Sequence, residues 1–201
     1  MYFYAQVETR FAMQKSDLRS LYKQRRAALT PEHIDTQSLA IANHVLALPI
    51  WEHTYFHVFL PIEKQREVNT EFILHLLAGK DKEIVVSKSD FNTREMTHFL
   101  LTDSTKLIPN AYGIPEPVAG LAAPVSTIEV VFVPLLAYDK SGQRVGYGKG
   151  FYDTFLQQCN PNTVKIGLSF FAPEENIEDV SANDVALDYV VTPEGIVRFG
   201  L

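Results

Sequence analysis

The chain has 201 residues, of which 46% are hydrophobic and 21% charged, and its formal net charge is −6. This length fits one domain, and the apolar content is sufficient for a full hydrophobic core. The negative charge excludes nucleic acid and a membrane surface as main partners, because both select a basic face, but it leaves room for a local basic cluster that binds an anionic small molecule.

The cysteine content and the first residues bear on where the protein works. A single cysteine, Cys159, excludes an internal disulfide framework and a cysteine-based zinc site, and favours a reducing cytoplasm with Cys159 as an inert thiol. Residues 1–12 lack the basic start and continuous apolar run of a signal peptide. We expect residues 1–14 to be a leader that is non-native or loosely ordered, with Met13 as the native start, and residues 15–201 to form a single domain. No apolar run reaches membrane-spanning length.

Helical periodicity and cap signals predict the first elements. A helix is predicted over 16–29, and a second helix over 31–48 begins after an N-cap at Thr30 and the helix-starting Pro31. The later elements are predicted in chain order as a strand over 55–60, a polar loop over 62–69, a helix over 70–77 capped by Thr70, strands over 83–87 and 96–101, an ordered excursion over 102–127, a strand over 128–133, a helix over 152–158, and strands over 164–169 and 188–192.

The order of these elements predicts the fold class. Residues 128–133 are a continuous β-rich apolar run, which is typical of a central strand buried on both faces. Strands that alternate with helices predict an α/β protein, a three-layer α/β/α sandwich with a mostly parallel, Rossmann-like sheet. Because ligands bind beyond the carboxyl ends of such strands, the 61–69 loop and the 142–150 turn are expected to face one cleft.

Residues 133–153 carry the most specific signal in the chain. Glycines alternate at 146, 148 and 150, Lys149 lies among them, and Arg144 precedes them. A strand, a glycine-rich turn and a helix in this order are typical of phosphate sites, because glycines let backbone N–H groups approach an anion and the helix start adds partial positive charge. The spacing matches neither the P-loop nor the dinucleotide pattern. A plain flexible turn is the alternative, which the Arg, Lys and Asp residues disfavour.

Several acidic residues admit two interpretations. Asp153 either complements the dipole of the helix that it begins or anchors Mg²⁺ beside a triphosphate. Asp184 taken alone is typical of a turn residue, and Glu67 taken alone is typical of a solvated loop acid. The six histidines show no metal-binding spacing, and none pairs with a serine or cysteine nucleophile.

Taken together, these motifs resemble the 5-formyltetrahydrofolate cyclo-ligase family, also called methenyltetrahydrofolate synthetase. The resemblance covers residues 15–197 and is carried, in family order, by segments 15–19, 66–70, 112–117, 133–153 and 183–188. The chain departs from the family pattern in a longer 60–67 loop, in Ser87 where proline is common, in the 135–138 segment and in Phe151 where tyrosine is usual. The implied topology is that of sugar-phosphate isomerases and coenzyme A transferases.

The resemblance also implies an activity and a set of site residues. The activity is the ATP- and Mg²⁺-dependent cyclisation of 5-formyltetrahydrofolate to 5,10-methenyltetrahydrofolate with release of ADP and phosphate, through phosphorylation of the formyl oxygen. The implied catalytic residues are Lys149, Arg144 and Tyr152. The implied ATP-binding residues are Lys15, Arg19, Arg144, Val145, Gly146, Tyr147, Gly148, Lys149, Gly150, Phe151 and Tyr152. The implied folate-binding residues are Leu60, Glu67, Met96, Tyr112, Tyr147, Gly148, Lys149, Gly150 and Phe151. The implied Mg²⁺ ligands are Asp153 and Asp184.

The expected partners are therefore a reduced folate and ATP, with the chain acting as a monomer or weak dimer. Two other functions remain open at this point. One is a non-catalytic folate- or nucleotide-binding module on the same fold, which should have lost the phosphate cations or the metal acids. The other is a sugar-phosphate isomerase or coenzyme A transferase relative, which would prefer a carboxylate in the glycine turn, where this chain has Lys149.

Overall fold

The computed structural model of the chain describes residues 12–200. Its helices are α1 (Lys15–Ala27), α2 (Pro31–Val45), α3 (Glu71–Ala78) and α4 (Phe151–Gln158). Its strands are β1 (Tyr55–His57), β2 (Glu83–Asp90), β3 (Glu95–Leu100), β4 (Leu107–Pro109), β5 (Pro115–Pro117), β6 (Val130–Pro134), β7 (Ala137–Tyr138), β8 (Arg144–Val145), β9 (Val164–Leu168), β10 (Tyr189–Thr192) and β11 (Gly195–Arg198). Most of the expected leader, residues 1–11, lies outside the described residues. Met13 forms a parallel β-bridge with Ile177.

Seven strands form one sheet in the order β11-β10-β9-β6-β1-β2-β3. The five inner strands run parallel, and the edge strands β3 and β11 are antiparallel to their neighbours. The predicted mostly parallel sheet is confirmed. The sequence did not predict β11, because a four-residue strand directly after a tight turn gives little periodic signal.

Both faces of the sheet are covered, as β6 shows. Val130 and Phe132 pack on one side, in a cluster with side chains of α2 and α3. Val131 and Val133 pack on the other side, in a cluster with side chains of α4. All four are fully buried, which confirms the predicted central strand and the three-layer sandwich.

The chain changes direction along the sheet between β1 and β6. From β1 it crosses through α3 to β2, and from β6 it crosses through α4 to β9 on the other side. Ligands bind at such a switch point, outside the carboxyl ends of the strands. Helix α1 lies beside this point, where Leu18 and Tyr22 pack against Val145 of the β7–β8 hairpin.

The 102–127 excursion is ordered, as predicted, and contains an antiparallel β4–β5 pair that the sequence did not predict. The buried carboxylate of Glu116 accepts a hydrogen bond from the Ser89 N–H of β2 (2.9 Å), which ties the excursion to the main sheet. Among residues 12–200 no helix has the length and apolar character needed to cross a bilayer.

The two predicted threonine caps have different outcomes. The Thr30 side chain accepts a hydrogen bond from the His33 N–H (3.2 Å), and Pro31 begins α2, so this cap is confirmed. Thr70 occupies the predicted N-cap position of α3, but its side chain makes no capping hydrogen bond, because its hydroxyl instead donates to the Phe59 carbonyl (2.7 Å) and holds the loop after β1 against α3.

Candidate active site

A cavity of about 380 Å³ opens at the switch point of the sheet. It is bounded by α1, by the segments that follow β1 and β6, by the tip of the β2–β3 hairpin, and by the turn from Gly146 to Gly150 that leads into α4. The predicted cleft between the 61–69 loop and the glycine turn is therefore present, since Glu67 and Lys149 both line this cavity.

The glycine turn has the backbone geometry that the sequence predicts. Gly148 and Gly150 have φ values of 89° and 78°, in the left-handed region that favours glycine, and Gly150 is the N-cap of α4. The start of α4 thus faces the cavity, where its free N–H groups can bind an anion.

Cationic side chains from α1 and the turn line the same end of the cavity. Lys15, Arg19 and Lys23 come from α1, and the exposed Lys149 comes from the turn. The Arg19 Nε donates to the Gly146 carbonyl (3.0 Å), so α1 and the turn are directly joined.

Two carboxylates of the cavity wall are paired with these cations. Asp153 Oδ1 accepts from Arg144 Nη2 (2.6 Å) and from the Val185 N–H (3.2 Å), and Asp184 forms an ion pair with Lys15. Burial alone would raise the pKa of Asp184, but the Lys15 side chain and the Ser181 N–H donate to it and leave the pKa lowered. Asp184 is therefore held as an anion at this cation-lined part of the cavity.

These two carboxylates suit Mg²⁺ in particular. No group of three or more His, Cys, Asp or Glu side chains among residues 12–200 could hold a metal alone. Mg²⁺ needs no such cage, since it binds through one or two carboxylates together with phosphate oxygens and waters. The pair Asp153 and Asp184, beside the cations, fits that mode.

The cavity wall also holds a buried carboxylate. Glu67 is only 4% exposed, and its Oε2 accepts from the Ile62 N–H while its Oε1 accepts from the Tyr147 hydroxyl, each at 2.7 Å. Burial raises the pKa of Glu67, while the Arg26 guanidinium and these two hydrogen bonds oppose the rise. Glu67 is thus not the solvated loop acid of the alternative interpretation.

Apolar side chains form the remaining wall. Leu60, Met96 and Tyr112 line the cavity, and Tyr112 is 59% exposed at its mouth. Its ring stacks on Phe91 with centroids 4.2 Å apart, and Phe91 in turn meets Phe151 edge-on at 5.0 Å. Three distant segments therefore build one aromatic surface.

A buried histidine pair lies behind the cavity, next to Tyr152. The His57 ring is fully buried, 5.4 Å from the His98 ring and 5.9 Å from the Tyr152 ring. Neither ring nitrogen of His57 has a hydrogen-bond partner among residues 12–200. Burial lowers the pKa of both histidines, that of His98 to about 4.

We therefore expect the protein to lose stability as the pH falls from about 6.5 to about 4. In this window the unfolded chain binds protons that the folded histidines reject, so the free energy of unfolding decreases. One unit of pKa corresponds to about 1.4 kcal/mol, so His98 alone should remove on the order of 3 kcal/mol by about pH 4. When urea unfolding is measured across this pH range, the free energy of unfolding should decrease less in His98→Phe than in the wild type. The exposed His33→Phe is the control, and an equal decline in both variants would contradict the assignment.

A model of the 5-formyltetrahydrofolate cyclo-ligase family matches residues 12–193. The chain belongs to this family.

Individual relatives agree with the family match. The chain is 30% identical over 183 residues to the 5-formyltetrahydrofolate cyclo-ligase of Escherichia coli K12, covering 88% of this chain and 98% of that one. It is 26% identical to a probable 5-formyltetrahydrofolate cyclo-ligase of Schizosaccharomyces pombe, covering 93% and 98%. The solution structure of Aquifex aeolicus 5,10-methenyltetrahydrofolate synthetase superposes with a TM-score of 0.78 at 26% identity, covering 92% and 93%.

The cavity brings together nearly all of the predicted site residues of the cyclo-ligase pattern. The residues that line it are Lys15, Arg19, Leu60, Glu67, Met96, Tyr112, Arg144, Gly146, Tyr147, Gly148, Lys149, Gly150, Phe151, Tyr152, Asp153 and Asp184. The exception is Val145, whose side chain is fully buried between α1 and the β7–β8 hairpin. Its predicted contact with the nucleotide can therefore involve only its backbone.

Several residues that line the cavity were not predicted from the sequence, among them Lys23 and Phe91, and neither was Arg26, which contacts Tyr147 of the cavity wall. Lys23 lies one turn beyond Arg19 on α1, which is a readable signal for a shared face. Phe91 stands in the polar turn of the β2–β3 hairpin, where a large apolar side chain is unusual. Arg26 follows Leu18 and Tyr22 at four-residue spacing, so a charge falls on the buried stripe of α1.

Proposed function

We propose that the protein uses ATP and Mg²⁺ to close the ring of 5-formyltetrahydrofolate to 5,10-methenyltetrahydrofolate. The observation that carries this proposal is that one cavity joins a cation-lined glycine turn to a buried carboxylate and an aromatic wall. The first end suits a triphosphate, and the second suits a pterin with its attached ring. Family membership supports the same substrate.

The residues at the phosphate end bind and neutralise charge. The formyl oxygen of the folate takes the terminal phosphoryl group, N10 then closes the ring, and phosphate leaves. Such a transfer depends on positioning and charge stabilisation rather than on a protein nucleophile. Lys149 and Arg144 would stabilise the transferred group, and Lys15 and Arg19 would hold the remaining phosphates. Mg²⁺ held by Asp153 and Asp184 would supply further positive charge to the phosphate oxygens.

The residues at the other end orient the folate. The Glu67 carboxylate can accept the N–H donors of a pterin edge. Leu60, Met96 and the stacked Tyr112 can cover the rings and exclude water. Burial raises the pKa of Tyr152, so its hydroxyl stays protonated and acts as a hydrogen-bond donor.

Turnover can be tested directly. Purified protein is mixed with 5-formyltetrahydrofolate, ATP and Mg²⁺, and the near-ultraviolet absorbance of the methenyl product is followed. We expect a rise that requires both ATP and the metal. Folate binding without a rise would instead indicate a non-catalytic binding module, and a rise without ATP would contradict the phosphorylation step. We further propose that residues 15–201 act as one domain, as a monomer or weak dimer in the cytoplasm.

The metal assignment makes a separate prediction. Asp153→Asn should raise the Mg²⁺ concentration for half-maximal activity by roughly tenfold, because the site loses a charged ligand. The amide keeps an oxygen for Arg144 and the Val185 N–H, so the fold should persist. Asp188→Asn is the matched control, since Asp188 likewise forms an ion pair, with Lys165 at 2.9 Å, but lies outside the cavity. An unchanged metal titration in Asp153→Asn would show that Asp153 does not bind the metal and only complements the dipole of α4.

A further inference from the structure

Arg26 is a buried charge that the proposed reaction does not use directly. Arg26 is only 3% exposed and lies on the inward face of α1. One guanidinium nitrogen, Nη1, donates to the Tyr147 hydroxyl (2.7 Å), and Nη2 donates to the Leu135 carbonyl. A buried cation is costly unless it is paired and hydrogen-bonded, and neither of these two partners carries a charge.

The compensating charge lies one step further, on Glu67. The Tyr147 hydroxyl donates its single proton to Glu67 Oε1 (2.7 Å), and its oxygen accepts from Arg26. A hydroxyl has one donor and two acceptor positions, so these two contacts fix its direction. Arg26, Tyr147 and Glu67 thus form a hydrogen-bonded chain from the interior of α1 to the cavity wall.

We propose that Arg26 is a positioning residue for the folate end of the site, acting through the Tyr147 hydroxyl to keep the Glu67 carboxylate ionised and aimed into the cavity. The inference rests on the proposed function, in which Glu67 accepts hydrogen bonds from the pterin. It adds a role for a residue that touches neither substrate.

The groups around Glu67 support this role. Arg26 faces it from α1, Tyr147 from the glycine turn, and Tyr152 from α4, and burial raises the pKa of both phenols. Arg26 is therefore the cation that acts on Glu67 against the effect of burial. A protonated Glu67 would turn one acceptor oxygen into a donor and lose its match to the pterin edge.

The role predicts a change in pH dependence. Without Arg26, burial would raise the pKa of Glu67 with less opposition, so more of the carboxyl would be protonated near neutral pH. The acid limb of kcat/KM for the folate should then move to higher pH. In Arg26→Met we expect a loss of about tenfold near pH 6 that recovers toward about pH 9. Arg26→Lys keeps the charge and should keep most of the wild-type profile.

Two readouts together decide the inference. The first is kcat/KM for 5-formyltetrahydrofolate against pH, for the wild type, Arg26→Met, Arg26→Lys and Tyr147→Phe. The second is a carbon-13 NMR titration of the Glu67 carboxyl, assigned through Glu67→Gln, which needs no turnover. Tyr147→Phe breaks the chain without removing a buried charge and serves if Arg26→Met does not fold. Tyr22→Phe is the control, because Tyr22 donates to the buried Glu174 from the same helix but outside the cavity.

We expect the Glu67 titration and the acid limb to move upward together in Arg26→Met and Tyr147→Phe, and neither to move in Tyr22→Phe. An unmoved Glu67 titration in both variants would overturn the inference even if activity fell, because a structural defect lowers stability without shifting that titration. A shifted titration in a protein whose wild type shows no turnover would support the chain of contacts and contradict the proposed function instead.

Discussion

Lys149→Ala is expected to lower turnover by roughly 10³-fold while leaving the fold intact. Lys149 is exposed on the cavity wall between Gly148 and Gly150, which have no side chains to keep an anion away from the backbone. In the proposed reaction, its ammonium group would stabilise the charge that develops on the transferring phosphoryl group. Since that charge is largest in the transition state, kcat should fall more than the KM for ATP rises.

Lys140→Ala is the matched control for this prediction. Lys140 lies in the same hairpin region and is exposed, but its ammonium pairs with Glu175 (2.6 Å) outside the cavity. The free energy of unfolding of both variants should lie within about 0.5 kcal/mol of the wild-type value, since both are surface substitutions. Steady-state rates at saturating folate and ATP provide the measurement. If the Lys149→Ala enzyme were as active as Lys140→Ala, Lys149 would have no part in the reaction.

The parts of the fold that could be predicted from the sequence are those with a strong local signal. The apolar run of β6 and the alternating glycines before α4 each determine their conformation within a few residues. The antiparallel edges of the sheet could not be predicted, because β3 and β11 have the same local pattern whichever way they pair. The β4–β5 pair inside the 102–127 excursion has three-residue strands with prolines, which give no periodic signal.

In the candidate site, too, the residues that could be predicted are those with a strong local signal in the sequence. The proposed phosphate end lies largely in one segment, so residues such as Arg144, Lys149 and Asp153 could be predicted from spacing and charge. The proposed folate end is assembled from distant segments, and the contact of Glu67 with Tyr147 spans 80 positions. Glu67 taken alone therefore predicts a solvated loop acid, and the sequence does not show the partners of Arg26, because burial and partners depend on the tertiary structure.

The glycine turn makes the last prediction, because its three glycines differ in what an added Cβ would meet. At Gly148 a Cβ would lie 3.2 Å from the Arg19 Nε and 3.3 Å from its Cζ, and the backbone φ is 89°. At Gly150 the φ is 78°, but an added Cβ would have no atom of the described residues within 4 Å apart from its chain neighbours. At Gly146 the same holds within residues 12–200, and the backbone is outside the left-handed region.

Alanine at these positions should therefore separate backbone strain from displacement of Arg19. Gly148→Ala should lose about 1–2 kcal/mol of stability from strain and also move Arg19 away from the turn, so we expect kcat/KM for ATP to fall by about 10²-fold. Gly150→Ala should show the strain with a smaller loss of activity, and Gly146→Ala should lose least of both. Urea unfolding and ATP kinetics on the three variants test this order. Equal losses would mean that the turn needs glycine only for flexibility, whereas the expected order would show that Gly148 is required because Arg19 packs directly against it.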